Sequence, residues 1–533
     1  RRLLLHFRRC TSFLSFASFL LLFSNSAYGR TTARTEKYSW MDTTIVYSDN
    51  DVMENIRANN MANLRNGHNY GTVADTTGAV PPMQSGKRVM ALLSNARGQK
   101  VLLQEEEVLT FSKRALPDSS RSSSTLIIDV IPHKTYQSME GFGYALTQGA
   151  AEEISRLSPT EQDKLLHELF GPSQKGGNNI SLVRISIGAS DLSTSLYTYN
   201  DTPNDYDMVN FTLSGPDLTF VIPLLKRIQQ INPSVKILST PWTPPIWMKH
   251  NNDWVGGTLR EEAYDAYARY FVRYVQEMAK KNISIWAITT QNEPENDQNT
   301  PSMMMSADAQ LSFVHRHLGP SLESAGLDTK IMAWDHNCDN PDYAIQVANE
   351  SHYVHGSAFH LYGGDISTMS TVKEATNKDV YFTEQWTGKN GDFDGDFGWH
   401  ITLVVVGSIR NWSRSVIEWT LATVPADKTL ACPGCLGAIT VNQDGQGYQR
   451  HVSFYIIGQI AKYVNPGAVR IDTNDLHDEQ IHNVAVKNPD NTIVLLVYNS
   501  APAARTFTVK VHSETFEYSL DGRSAVTFKW RGK

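Results

Sequence analysis

A chain of 533 residues is too long for one simple core and points to two or three domains, unless one of them is a large α/β barrel. Apolar residues at 41% and charged residues at 19% exclude a disordered or wholly membrane-embedded chain. A net charge of −7 without a long basic block excludes a nucleic-acid backbone as the main partner.

The chain opens with Arg1, Arg2, Arg8 and Arg9, an apolar run from Phe13 to Phe23, and small residues ending at Ala27 and Gly29. This is the layout of a secretory signal peptide over residues 1–29, and its apolar run is too short to span a bilayer. Export to a secreted or lysosomal location is the expectation, and no other stretch predicts a transmembrane segment. Asn-x-Ser/Thr sequons at Asn179, Asn200, Asn210, Asn282, Asn349 and Asn411 fit that route. Residues 30–87 are polar, without hydrophobic period, and are expected to be poorly ordered.

From Arg88 the character changes to short β-like runs, RVMALL, VLLQEEEVLTF and STLIIDVI. The last 70 or so residues read the same way, with VAVKNPDNTIVLLVYN turning at Pro489-Asp490-Asn491. Residues 88–135 and 465–533 are therefore expected to form an antiparallel β-sandwich from both chain ends.

Between them, over residues 136–464, apolar strands alternate with amphipathic helices such as PTEQDKLLHELF. The strands are GFGYALT, LVRISIG, VKILST, IWAITT, KIMAW, GSAFHLY, VYFTE and SVIEWTL. Eight strands in βα alternation predict a (β/α)8 barrel, whose chemistry gathers at the C-terminal strand ends. A doubly wound sheet is the alternative, but GFGYALTQG lacks the acidic ribose partner such a phosphate loop needs.

Polar residues at the ends of core strands have no packing reason to be there. They are Arg184, Trp242, Asn292, Glu293, His360, Tyr362, Glu384 and Trp419. Glu293 and Glu384 end different strands on one rim, among aromatics that suit sugar rings. Paired carboxylates in such a setting suggest glycoside hydrolysis, which needs a proton donor on one face of the sugar and a second carboxylate on the other. Two nearby anions raise the pKa of one, and Arg184 favours the ionised form of Glu384, so Glu293 is expected to carry the proton. Without Glu293 and Glu384 acting together, the same barrel reads as a non-catalytic carbohydrate-binding protein.

Cys432-Pro-Gly-Cys435 reads as a short loop disulfide, because no second pair exists to complete a zinc site, and Cys338 as a buried free thiol. Asp392, Asp394 and Asp396 resemble the start of a calcium loop, but Leu403 stands where the bidentate Glu belongs, so no metal is expected.

The chain resembles glycoside hydrolase family 30, the glucosylceramidases and their relatives, from about Glu140 to the C-terminus. The motifs that carry the resemblance include EGFGYALTQGAA, STPWTPPIWMKHN, IWAITTQNEPEND, YVHGSAFHLY, YFTEQWTG and YIIGQIAKYVNPGAVRI. It implies a (β/α)8 TIM barrel with an appended β-sandwich, and retaining hydrolysis of a β-glucoside without a cofactor. By position it implies Glu293 as acid/base, Glu384 as nucleophile and Asn292 on the sugar 2-hydroxyl. Arg184, Trp242, Tyr362 and Trp419 match positions that line the glycone pocket or support the nucleophile.

Where the glucosylceramidase pattern has an aspartate that grips glucose, this chain has Gln148, and Tyr144 fills a glycine position. The TEQWTG run is similar to the β-1,6-glucanase branch. The substrate is accordingly expected to be glucosylceramide or a β-1,6-glucan, and nothing in the sequence identifies a protein activator.

Overall fold

The computed structural model describes residues 88–97, 101–112 and 126–532. The expected signal peptide and polar segment lie outside them. Eight parallel strands close into a barrel. In chain order they are Gly141–Ala145, Leu182–Ser186, Lys236–Thr240, Ala287–Thr289, Lys330–Cys338, Val354–Gly364, Asp379–Glu384 and Ser413–Glu418.

The floor of the barrel is a small apolar cluster of Leu182, Leu238, Ala287, Met332, Ala358, Tyr381 and Ile417, one residue from each strand after the first. Strand side chains alternate between faces, so the next inward residue is two positions on. That step turns the floor into a polar layer: Arg184, Thr240, Thr289, His360 and Thr383. The first strand contributes little bulk there. A Cβ on Gly143 would sit 1.7 Å from the carbonyl oxygen of Leu182, so the close approach of these strands requires glycine.

Helices cover the outside. The 17-residue helix Tyr264–Lys280 buries Tyr267, Tyr270, Phe271, Tyr274 and Met278, spaced at three and four residues, against the wall. Tyr144 points outward, donating its hydroxyl to the carbonyl of Ser453 at 3.0 Å in helix Val452–Ala461. The glycine position it fills is therefore not a cleft position.

Strands from both chain ends make one nine-stranded sheet around a separate core that includes Val89, Ile128, Phe507, Val526 and Phe528. Arg88–Asn95 pairs antiparallel with Ser524–Arg531. The hairpin of Ile481–Lys487 and Thr492–Asn499 turns as expected at Pro489–Asn491, with Asn491 at φ 64°. The sheet departs from purely antiparallel order once, where Leu126–Ser138 runs parallel to Arg505–Val511. These two strands are far apart in sequence, so no tight hairpin dictates their direction.

Among the described residues no helix is long and apolar enough to cross a membrane. Of the sequons, Asn210, Asn282 and Asn349 are exposed. Asn200 is buried, and the amides of Asn179 and Asn411 are spent on backbone carbonyls.

Candidate active site

The polar layer is organised by a residue that the strand-end argument passed over. Asp335 lies in the fifth strand, fully buried, and five donors converge on it. Its Oδ2 accepts from Thr289 at 2.7 Å, Arg184 at 3.0 Å and Thr240 at 3.3 Å. Its Oδ1 accepts from Thr383 at 2.8 Å and lies 3.1 Å from Nε2 of His360. Strict alternation from Met332 would aim Trp334 inward. Instead Trp334 and Asp335 take φ of 70° and 67°, a bulge interrupts the ladder, and Asp335 is turned into the barrel. Left-handed backbone at two non-glycine residues is strained, and such strain persists where the surroundings over-determine it.

Arg184 spans the centre. It ion-pairs with Glu384 through Nη1, and its Nη2 donates to Oδ1 of Asn292 at 2.8 Å. That bond fixes which way the Asn292 amide faces and leaves its Nδ2, which has no acceptor among the described residues, to donate elsewhere. Tyr362, 40% exposed, donates its hydroxyl to Oε1 of Glu384 at 3.0 Å. Trp242 and Trp419 pack with ring centres 5.2 Å apart beside the guanidinium, and Nε1 of Trp242 is buried without a partner among the described residues.

Glu293 sits four residues past the last inward residue of its strand. Its φ is 45°, and its N–H is held by the carbonyl of Asp335 at 3.0 Å. The N–H of Asn292 is held by Pro241 at 2.8 Å. Nδ1 of His360 is 3.2 Å from Oε1 of Glu293, and Asn296 donates to Oε2 at 2.7 Å. Oxygens of Glu293 and Glu384 and a nitrogen of His360 all lie within 4.8 Å of one another. Three such groups could hold a cation in principle. Here both ring nitrogens of His360 face carboxylates and Glu384 is already paired with Arg184, so the set reads as a hydrogen-bonded charge network.

The electrostatics correct one expectation. Burial pushes the Glu293 carboxyl up, but the hydrogen bond and charge of His360 outweigh it and pull the group down to about 2. Burial pushes the imidazole of His360 down, but the charge of Glu384 and the bonds to Asp335 and Glu293 raise it to about 9. Asp335 stays well below the usual carboxylate range: burial opposes this, and Arg184 and His360 overcome it. The proton expected on Glu293 therefore rests on His360, one hydrogen bond away.

The cleft above this network has a volume of about 470 Å³. It is lined by Glu293, Glu384, Tyr362, Trp419, His336, Asn337, the 295–299 loop, Trp386, Asp191 and the Cys432–Cys435 disulfide. Cys338 is buried and free.

Asp191 is the second residue the sequence reading missed. It sits in a loop five residues beyond its strand, where no periodicity marks it. Burial, with the charges of Glu384 and Glu293, pushes its carboxyl up to about 8. Gln148, by contrast, does not line the cleft: its carbonyl accepts from Thr194 N–H at 2.9 Å and its amide donates to Glu152 at 3.0 Å. The Asp392 loop carries structural duties, with Asp392 capping helix Phe393–Trp399 and Asp394 pairing with Arg523.

These shifts fix the sign of a pH dependence. Asp191, raised to about 8, retains a proton that the unfolded chain releases above about 4, so its contribution is lost as pH rises through that window. His360 adds stability that is full below about 6.5 and lost as pH rises through about 9. Glu293 and Asp335 act oppositely, losing theirs as pH falls below about 4. The denaturation midpoint is expected to peak at mildly acidic pH and fall steadily toward pH 9. A midpoint that rises over that range contradicts the assignment.

Comparison with known proteins matches this architecture. Residues 139–420 match the glycosyl hydrolase family 30 TIM-barrel domain, and residues 467–528 the family 30 β-sandwich domain. An endo-1,6-β-D-glucanase of Aspergillus fumigatus is 32% identical over 415 residues, covering 72% of this chain and 82% of that protein. The lysosomal acid glucosylceramidase of Mus musculus is 26% identical over 444 residues, covering 78% of this chain and 85% of that protein. A solved endo-β1,6-glucanase superposes with TM-score 0.76 at 32% identity, covering 84% of this chain and all of that one. With both domain matches in place over the barrel and the sandwich, the chain belongs to glycosyl hydrolase family 30.

Proposed function

We propose that the protein hydrolyses β-1,6-linked glucan with retention of configuration, Glu384 acting as nucleophile and Glu293 as acid and base. The observation that carries the mechanism is the separation of the two carboxylates, whose oxygens lie within 4.8 Å. Retaining enzymes hold this pair at about 5–5.5 Å, whereas inverting ones need about 6.5–9.5 Å to admit a water between carboxylate and sugar.

In the first step an oxygen of Glu384 attacks the anomeric carbon as the glycosidic C–O bond breaks, and Glu293 protonates the departing oxygen. The proton is available because it rests on His360, whose Nδ1 is 3.2 Å from Oε1 of Glu293 and passes it to that carboxylate as the bond breaks. In the second step Glu293 takes a proton from water, whose oxygen displaces Glu384 from the sugar. Arg184 and Tyr362 hold Glu384 in place and aim it at the sugar. Asn292, with its Nδ2 free to donate, meets the 2-hydroxyl, where a contact strengthens as the oxocarbenium-like centre forms. Asp191 in the cleft lining, and Nε1 of Trp242 and Nδ1 of His336, which have no partner among the described residues, are offered to further hydroxyls of the glycone.

Two features support the glucan over a lipid glucoside. Endo-1,6-β-glucanases match at 32% identity over 415 residues and 34% over 367, and the 295–299 wall of the cleft is made of amides and carboxylates with no apolar side chain. The test is to incubate the protein separately with β-1,6-glucan and with glucosylceramide and measure product release. Soluble gluco-oligosaccharides from the glucan are expected. Release from glucosylceramide alone would reverse the substrate assignment, and release from neither would sink it in both forms.

A further inference from the structure

Trp386 stands two residues after the nucleophile and has no part in the network described above. It is 37% exposed, whereas Trp242 and Trp419 are 2% and 3% exposed. A large aromatic left open at the mouth of a polar cleft is a surface waiting for a partner.

The ring is nevertheless held in place. A Cβ on Gly388 would lie 3.3 Å from its six-membered edge, and one on Gly434 would lie 3.8 Å from it, so the indole rests on two glycine backbones. Gly388 pairs with Cys435 in a two-residue antiparallel ladder, and Lys389 N–H donates to the Gly434 carbonyl at 2.9 Å. The Cys432–Cys435 disulfide closes the loop that carries Gly434. The far end of that loop is tied to the glycone side, where Thr429 Oγ1 at 2.8 Å and the N–H groups of Leu430 and Ala431 at 3.0 Å all donate to the Asp191 carbonyl. One braced segment thus joins Asp191 to Trp386.

We propose that Trp386, backed by this disulfide loop, forms the subsite for the first sugar ring on the leaving-group side of the scissile bond. The assignment rests on the β-glucan reading above. Trp419 lines the cleft buried beside Arg184 whereas Trp386 lines it with an open face, so Trp386 is the aromatic that a ring beyond the buried glycone can reach. The same cleft presents Asn296, Gln298 and Asn299, and Asn296 also holds the proton-donating Glu293. An exposed aromatic face in a cleft lined with amides suits a pyranose, which offers C–H bonds on its flat face and hydroxyls on its rim, and does not suit an alkyl chain. This assigns to the site a carbohydrate leaving group.

The test compares kcat/KM for a short β-1,6-gluco-oligosaccharide with kcat/KM for β-D-glucosyl fluoride, whose leaving group is a single atom with no ring to stack. Trp386→Ala is expected to lose about tenfold more on the oligosaccharide than on the fluoride, the scale of deleting one aromatic anchor. Trp386→Phe is expected to recover most of that difference, and the Cys432→Ser/Cys435→Ser double variant to fall between the two. Equal losses on both substrates, or none on the oligosaccharide, would overturn the subsite. A wild-type enzyme active on the fluoride and inactive on the oligosaccharide would overturn the β-1,6-glucan reading itself, and with it the ring assigned to this subsite.

Discussion

Glu384→Gln is expected to lower turnover of every β-glucoside by roughly 10⁴-fold or more, because a carboxamide cannot form the glycosyl ester on which double displacement depends. The change is nearly isosteric, so Arg184 and Tyr362 keep a partner of the same shape and the fold should survive. Glu293→Gln should behave differently. With glucosyl fluoride the departing group needs no proton, so the glycosyl-enzyme still forms quickly. Its hydrolysis then lacks a base and slows by about 10²–10⁴-fold. The result is a burst of fluoride followed by a slow steady state, visible in rapid-mixing kinetics. The same loss in both variants, with no burst in either, would contradict the division of roles.

Asp335→Asn is expected to produce the largest loss of stability of any conservative change in the barrel. The residue is fully buried and ion-paired with Arg184 at 3.0 Å. Removing one carboxylate from such a buried charge network leaves Arg184 and His360 with Glu384 and Glu293 but without their shared anchor, and costs about 3–5 kcal/mol. The amide that replaces it also brings an NH₂ group among five donors, so at least one contact turns from attraction to repulsion. Thr289→Val, which deletes a single neutral donor 2.7 Å from the same carboxylate, is the control and should cost only about 1 kcal/mol. Denaturant midpoints measure both. A wild-type midpoint in Asp335→Asn would mean that the charge network does not hold the barrel together. The same variant should lose activity, since Arg184 and His360 are both positioned by Asp335.

Much of this was legible because a buried strand has no packing use for a polar residue at its end. That rule alone singles out Arg184, Asn292, Glu293, His360, Tyr362 and Glu384, and the structure brings all six into one network with Trp242 and Trp419 beside it. The rule fails where its premise fails. Asp335 is inside a strand, turned inward by a bulge, and a reading that ends the fifth strand at Trp334 stops one residue short; the strand runs on to Cys338. Asp191 and Trp386 lie on loops, whose course over the barrel mouth no periodicity encodes. Gln148 matched the position of a sugar-gripping aspartate, but an amide can donate as well as accept, and here it satisfies Thr194 and Glu152 instead. The protonation of Glu293 is not legible in the sequence for a related reason. Sequence shows two carboxylates and one guanidinium, but not that His360 sits between three carboxylates and draws the proton to itself.

The retaining mechanism with Glu384 as its nucleophile is tested most directly by trapping the covalent intermediate. A 2-deoxy-2-fluoro-β-D-glucosyl fluoride should inactivate the enzyme with a mass increase of one fluoroglucosyl group, and peptide sequencing by mass spectrometry should place that group on Glu384. Attachment to any other residue, or turnover that yields the inverted anomer as its first product without an adduct, would contradict the mechanism.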